Sequence, residues 1–227
     1  MKLVIFDLDG TLVDSSEDIT LSVNELLVDA GLDPLSIAEV RDYVGNGVTK
    51  LVERALPDSS ASEIDRAVSR YREIYRRRLL EHTVAYPGVV EALRGLRALC
   101  KNAVLTNKPL LESRMILEGL ELNKFFFSVY GGDSFDRMKP DPGGVERLLA
   151  EGEVKRTEAL LVGDTEVDFE TARNARIACC LVTYGPTPYR TRSLDADYRV
   201  TDLRELVALI SEAYPSRGRP RERRRPG

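Results

Sequence analysis

Cysteine is scarce in this sequence of 227 residues, which holds three: Cys100, Cys179 and Cys180. That number and spacing supply neither an even disulfide framework nor the spaced pairs of a zinc site. Reduced thiols in small core positions of a cytoplasmic protein are expected. Long apolar runs are also missing, and none could span a bilayer. The opening stretch Lys2-Leu3-Val4-Ile5-Phe6 is too short for the apolar centre of a signal peptide and runs straight into acidic residues, so no membrane partner is expected. A surplus of positive charge is lacking too. With a formal net charge of -4 there is no broad cationic field for a nucleic-acid backbone, and an anionic substrate must be met by a few placed donors. No internal repeat is found.

What is present is an ordinary globular balance. Hydrophobic residues make up 43% and charged residues 31%, enough apolar surface to offset the entropy of ordering the chain, which excludes general disorder. The length fits one large domain or a domain carrying a sizeable insertion. Unbroken apolar runs at 3–6, 103–106, 160–163 and 179–183 read as strands buried on both faces. Between them lie helical patterns such as 87–100, where Val89, Leu93, Leu96 and Cys100 recur at helical spacing behind a proline. Strand alternating with helix predicts an α/β fold with a parallel sheet covered on both sides.

Residues 16–82 break that rhythm, with helical periodicity and charge but no buried strand. They read as an inserted helical subdomain, with 1–15 and 83–214 forming the core. The seams are Val13-Asp14-Ser15-Ser16, which carries helix-capping residues, and Thr83-Val84-Ala85-Tyr86-Pro87-Gly88, where proline and glycine restart the core. The last stretch, 215–227, is proline-rich and basic and reads as a disordered tail.

Ligands of a parallel sheet bind beyond the carboxyl ends of its strands. Polar residues collect at such places here: Asp7 and Asp9, Thr106-Asn107, Lys139-Pro140, and Asp164 with Asp168. Singly, each has a plain reading as a turn, loop or helix cap; jointly, they describe a reaction centre. Three carboxylates at one edge require a counter-charge, and a cluster of hard oxygens suits Mg2+. Thr106, Asn107 and Lys139 are donors of the kind that surround a phosphoryl group in transfer, while one carboxylate can act as nucleophile and another can move the proton.

Together these segments, Phe6-Asp7-Leu8-Asp9-Gly10-Thr11, Leu105-Thr106-Asn107, Lys139-Pro140 and Gly163-Asp164-Thr165-Glu166-Val167-Asp168, resemble the four motifs of the haloacid dehalogenase superfamily. The resemblance implies a Rossmann-like core with a helical cap between the first two motifs. It also implies a magnesium-dependent phosphatase with Asp7 as nucleophile and Asp9 as general acid and base. By the same resemblance, Asp7, Asp164 and the Asp9 carbonyl bind the metal, Asp168 binds it directly or through water, and Thr106 and Lys139 hold the phosphoryl oxygens. The dehalogenases proper lack the second acid; Asp9 is present here.

Within the superfamily, Val44-Gly45-Asn46-Gly47, Thr106-Asn107-Lys108-Pro109 and Gly131-Gly132-Asp133-Ser134 resemble segments of phosphoglycolate phosphatases. That implies a small phosphorylated metabolite as partner, with 2-phosphoglycolate first and pyrophosphate or sugar phosphates as alternatives. Lys50 and Arg54 are the candidate cap cations for the substrate's far end. His82, the one histidine, reads as hinge structure, and Lys108 as a neighbour of the second motif pointing away. The acidic pairs Glu151/Glu153 and Asp195/Asp197 read as solvated loops. A phosphomutase is disfavoured because Val48 stands where an arginine commonly follows the cap glycines. A catalytically silent binding domain is the reading from another class, and it should have lost one of the four central residues.

Overall fold

The computed structural model describes residues 1–213. Its elements run β1 (Leu3–Phe6), β2 (Val13–Asp14), α1 (Ser16–Asp29), α2 (Ile37–Tyr43), α3 (Val48–Ala55), α4 (Ala61–Arg78), β3 (Val84–Ala85), α5 (Val89–Leu96), β4 (Lys101–Leu105), α6 (Leu110–Gly119), β5 (Ser128–Tyr130), α7 (Gly143–Gly152), β6 (Ala159–Gly163), α8 (Glu166–Ala175), β7 (Ala178–Val182), α9 (Pro188–Thr191), β8 (Tyr198–Val200) and α10 (Glu205–Ala213). The expected basic tail at 215–227 lies outside the described residues.

Six strands make one parallel sheet in the order β5-β4-β1-β6-β7-β8. Successive side chains of a strand face opposite ways, and both ways are apolar here. Val4, Phe6, Val104, Val162 and Val182 join one buried cluster, and Leu3, Ile5, Ala103, Leu161 and Leu181 join the other. Helices cover both: Val89 and Leu93 of α5 with Leu206 and Ile210 of α10 pack on the first face, and Leu148 of α7 with Phe169 and Ala172 of α8 on the second. The fold is a doubly covered α/β sheet of Rossmann-like form.

Strand order reverses at β1, which pairs with β4 on one side and β6 on the other. This is the switch point at which a crevice opens beyond the strand ends. The helices α1 to α4 lie between β2 and β3, and those two short strands pair antiparallel, Val13 with Ala85 and Asp14 with Val84. Within this insertion α2 opens with a capping box from Ser36 and Glu39, and α4 with one from Ser60 and Glu63.

Besides the short pair β2 and β3, two strands of the main sheet exceed the sequence reading. β5 and β8 are three residues each, with only Val129 and Val200 buried in them, so neither shows a continuous apolar run. The helix expected over 87–100 is shorter: Gly88 is left-handed at φ 83° and forms the N-cap of α5, which leaves Pro87 outside.

Candidate active site

The four motifs meet beyond the carboxyl ends of β1, β4 and β6. Asp7 leaves β1 with its backbone N–H still bonded to Val162 O at 2.9 Å, which aims the segment out of the sheet. The chain then turns: Gly10 N–H donates to Val13 O and Leu12 N–H to Leu8 O, both at 2.9 Å. Gly10 adopts φ +82°, and a Cβ there would stand 2.2 Å from Asp164 Oδ2. Glycine is therefore required on both counts, conformational and steric. Asp164 leaves β6 and accepts from Thr11 Oγ1 at 2.9 Å.

Lys139 is the counter-charge. Its Nζ lies 3.0 Å from Asp7 Oδ1 and 2.6 Å from Asp168 Oδ1, with the side chain buried. Asp168 also accepts from Thr165 N–H and Oγ1 at 3.1 and 2.6 Å, so it caps α8 while orienting the lysine. Carboxylate oxygens of Asp7, Asp164 and Asp168 all fall within 4.8 Å of one another.

Three acids against one ammonium leave the cluster short of positive charge. Burial pushes the Asp7 carboxyl up to about 6, with Lys139 opposing and Asp168 adding to the rise. Burial also holds Asp164 well above the ordinary carboxylate range, reinforced by Asp168 and Asp7. Desolvation would lower the Lys139 ammonium, but Asp168 and Asp7 outweigh it and keep it above its usual value. This donor set, hard oxygens with an unbalanced buried charge, fits a divalent cation such as Mg2+.

Asp9 faces a different set of partners. Ser15 Oγ donates to its Oδ1 at 2.5 Å, and Lys108 Nζ donates to Oδ1 and Oδ2 at 3.0 and 3.1 Å. Lys108 therefore points into the site, contrary to the sequence reading. A single lysine after Thr-Asn carries no periodic signal of direction, and the ring of Tyr75 in α4, 4.6 Å from the ammonium, helps to seat it.

Thr106 is buried just after β4, and its backbone N–H extends the ladder to Tyr130 O at 3.0 Å. Asn107 works as a tie: Nδ2 donates to Lys139 O and to Gly45 O, each at 3.0 Å. Both side-chain protons are thus directed to backbone carbonyls, one of them in the insertion, and not toward a phosphoryl position.

The proposed cap cations need correction. Among the described residues, Lys50 pairs with Glu53 at 2.5 Å on an exposed surface, and Arg54 binds Tyr43 O and Asn46 Oδ1 at 2.7 and 2.8 Å. Neither lines the cavity above Asp7. Arg41, Arg72, Tyr71 and Tyr75 from the insertion line it instead, together with Asp9, Lys108 and Thr187. Lys50 and Arg54 lie on the exposed face of α3, whereas Arg41 and Arg72 come from α2 and α4, whose inward faces only the tertiary packing defines. Asp195 and Asp197 are exposed, as expected of a solvated loop, and Asp197 Oδ2 also accepts from Cys179 N–H at 2.9 Å. Glu151 accepts from the Tyr130 hydroxyl at 2.5 Å.

With this arrangement in view, likeness to known proteins has a definite meaning. The family profile of the haloacid dehalogenase-like hydrolases matches residues 4–182. The chain belongs to that family. It is 36% identical to phosphoglycolate phosphatase 1 of Pseudomonas aeruginosa over 222 residues, covering 93% of this chain and 80% of that one. It is also 36% identical over 220 residues to a phosphoglycolate phosphatase of Nitrosospira multiformis, covering 94% and 97%. Among solved structures, it superposes on a predicted phosphoglycolate phosphatase from Haemophilus somnus with TM-score 0.86 and 30% identity, over 92% of this chain and 97% of the other. No helix among the described residues is long and apolar enough to cross a membrane.

Proposed function

We propose that this hydrolase is a magnesium-dependent phosphatase that cleaves a small phosphomonoester, 2-phosphoglycolate, into glycolate and phosphate. The observation that carries the reading is Asp7 at the end of β1, paired with Lys139 at 3.0 Å and gathered with Asp164 and Asp168 within 4.8 Å. The relatives described above support the choice of substrate.

In this reading the Asp7 carboxylate attacks phosphorus and the bond to the leaving oxygen breaks, giving an aspartyl-phosphate. Asp9 delivers its proton to the leaving oxygen, then takes one from the water that attacks the aspartyl-phosphate, and Asp7 is regenerated. Ser15 and Lys108 hold the Asp9 carboxylate in place for both transfers. Lys139 and Thr106 bind the equatorial oxygens of the phosphoryl group. The side chains of Asp7 and Asp164 with the Asp9 carbonyl would hold Mg2+, and Asp168, already bonded to Lys139 and Thr165, would bind it directly or through water. When bound, the ion supplies charge neutralisation between the acids and the phosphoryl oxygens. The helices α1 to α4 act as a cap that excludes water from these transfers.

Phosphate release with Mg2+ from 2-phosphoglycolate, pyrophosphate and sugar phosphates tests the proposal. Preference for 2-phosphoglycolate, lost in Asp7→Asn, is expected. A different preferred ester would change the substrate and keep the chemistry. Release of no phosphate from any of them would bring forward a phosphomutase or a silent domain.

A further inference from the structure

We infer that Arg41 is the cap residue that selects the substrate, by binding a second anionic group, the carboxylate, on the side of the leaving oxygen. The inference rests on the phosphatase reading above and concerns what makes the cavity prefer an acid to a neutral ester. A substrate with a phosphate at one end and a carboxylate at the other needs two cationic poles. The phosphate pole is Lys139; the other must come from a residue lining the cavity.

Among the described residues three cations line it, Arg41, Arg72 and Lys108. Two are committed. Arg72 places Nε and Nη2 on the two oxygens of Glu112 at 3.0 and 3.1 Å, and Glu112 is 1% exposed with Arg76 Nε on Oε1 at 2.8 Å, so withdrawing Arg72 would strip the bidentate pair from a buried carboxylate and leave it one cation. Lys108 is bound to both oxygens of Asp9. Among the described residues Arg41 has only a distant partner, Asp14 Oδ2 at 3.8 Å from Nη2, and its Nε is shut off from solvent with no acceptor. Arg41 lines the cavity with a part-exposed guanidinium held by no close acceptor among the described residues, so of the three it is the one free to take a ligand acceptor. The guanidinium fork is also the group best shaped for a carboxylate.

The backbone that carries Arg41 is fixed on three sides. Tyr189 hydroxyl donates to Asp42 Oδ1 at 2.7 Å, Arg54 holds Tyr43 O at 2.7 Å, and Asn107 Nδ2 holds Gly45 O at 3.0 Å. A cation presented from a segment held in this way loses little freedom when it binds, which favours discrimination. Arg41 shares the cavity wall with Asp7, Asp9 and Asp164. The earlier candidates Lys50 and Arg54 have no such position; Arg54 serves the loop.

The test compares kcat/KM for 2-phosphoglycolate with that for 2-hydroxyethyl phosphate, which replaces the carboxylate by a neutral alcohol. The wild type should favour the acid, and Arg41→Gln should reduce that ratio by at least about 10-fold, because a site built for a polar partner discriminates through it. Arg41→Lys, which keeps charge but loses the fork, should reduce it by an intermediate factor, and Arg72→Gln should move it less than Arg41→Gln. A wild-type preference that survives within twofold in folded Arg41→Gln overturns the assignment and leaves the substrate reading standing. If Arg41→Gln does not fold, an unchanged ratio in Arg41→Lys overturns it equally. A wild-type ratio near one overturns the phosphoglycolate reading itself, and this inference with it.

Discussion

Lys108 Nζ donates to both oxygens of Asp9, at 3.0 and 3.1 Å, while Tyr75 of the insertion lies across the same ammonium at 4.6 Å. Asp9, the proton-moving group of the proposed mechanism, is therefore held by the residue after the second motif and covered by Tyr75 of α4. Replacing Lys108 with Met removes the orienting pair without touching Asp7, Lys139 or the acid cluster. Turnover should fall by about 10- to 100-fold, a fraction of what a general acid and base contributes. Steady-state phosphate release checks it, and a loss within twofold would show that Ser15 alone suffices to hold Asp9.

Asp7→Asn should abolish turnover, since an amide cannot form the aspartyl-phosphate, while the fold persists because Asp7 stands at a strand end and not in an apolar cluster. Circular dichroism beside single-turnover phosphate release separates the two effects. Residual activity at the wild-type level would reject Asp7 as nucleophile.

Metal and pH should be linked in a definite sense. Burial raises Asp7 to about 6 and lifts Asp164 well above its usual range in the metal-free protein. An acid whose folded pKa exceeds its unfolded one contributes stability below the unfolded value, and that contribution is lost as pH rises through the folded value. The metal-free protein should thus lose stability as pH rises through about 6. Mg2+, held by the ionised acids in the proposed reading, should raise the melting temperature more at about pH 7.5 than at about pH 5, and a hundredfold excess over Kd corresponds to ~2.7 kcal/mol. Equal shifts at both values would argue against these acids as the ligands.

Gly10→Ala should disable the site from the backbone. The new Cβ would meet Asp164 Oδ2 at 2.2 Å in a left-handed turn at φ +82°. A destabilisation of about 1–3 kcal/mol is expected, with weakened Mg2+ affinity by calorimetry. Wild-type affinity in that variant would mean that Asp164 can move away without consequence.

His82 offers a pH response remote from the metal. Its ring Nδ1 is 3.0 Å from Asp18 Oδ1, and the hydrogen bond to Asp18, more than Glu17 nearby, raises its pKa from 6.5. A raised histidine contributes stability that is fully present below the unfolded pKa and fades as pH rises through the folded one. The melting-temperature difference between wild type and His82→Ala should therefore be larger at about pH 5.5 than at about pH 8.5. The reverse order would assign the contact to a neutral hydrogen bond.

Much of the sheet was legible because β1, β4, β6 and β7 are buried on both faces and read as unbroken apolar runs. β5 and β8 sit at the sheet edges, where partial exposure erases the run. The site divides in the same way. Asp7, Thr106 and Asp164 follow strands and could be placed from the chain, and Lys139 belonged to a spaced motif. The inward turns of Lys108, Arg41 and Arg72 depend on how four inserted helices pack over the sheet, which no local spacing encodes. Hence Lys50 and Arg54 were plausible by sequence position and displaced by geometry.

The antiparallel pairing of Val13 with Ala85 brings the departure and return of the inserted helices side by side. Cross-strand neighbours of this kind have Cα atoms only about 4.5–5.5 Å apart. Everything from α1 to α4 thus hangs from one doorway, so a helical cap of another length or lining could be grafted there without stretching the sheet. Asp7 and Asp164 would keep their strands under such an exchange, while Arg41 and Tyr75 would leave with the old cap. On the proposed function, reaction chemistry and choice of ester lie on separable pieces of chain, and a library of grafted caps on this sheet would be a direct route to new esters.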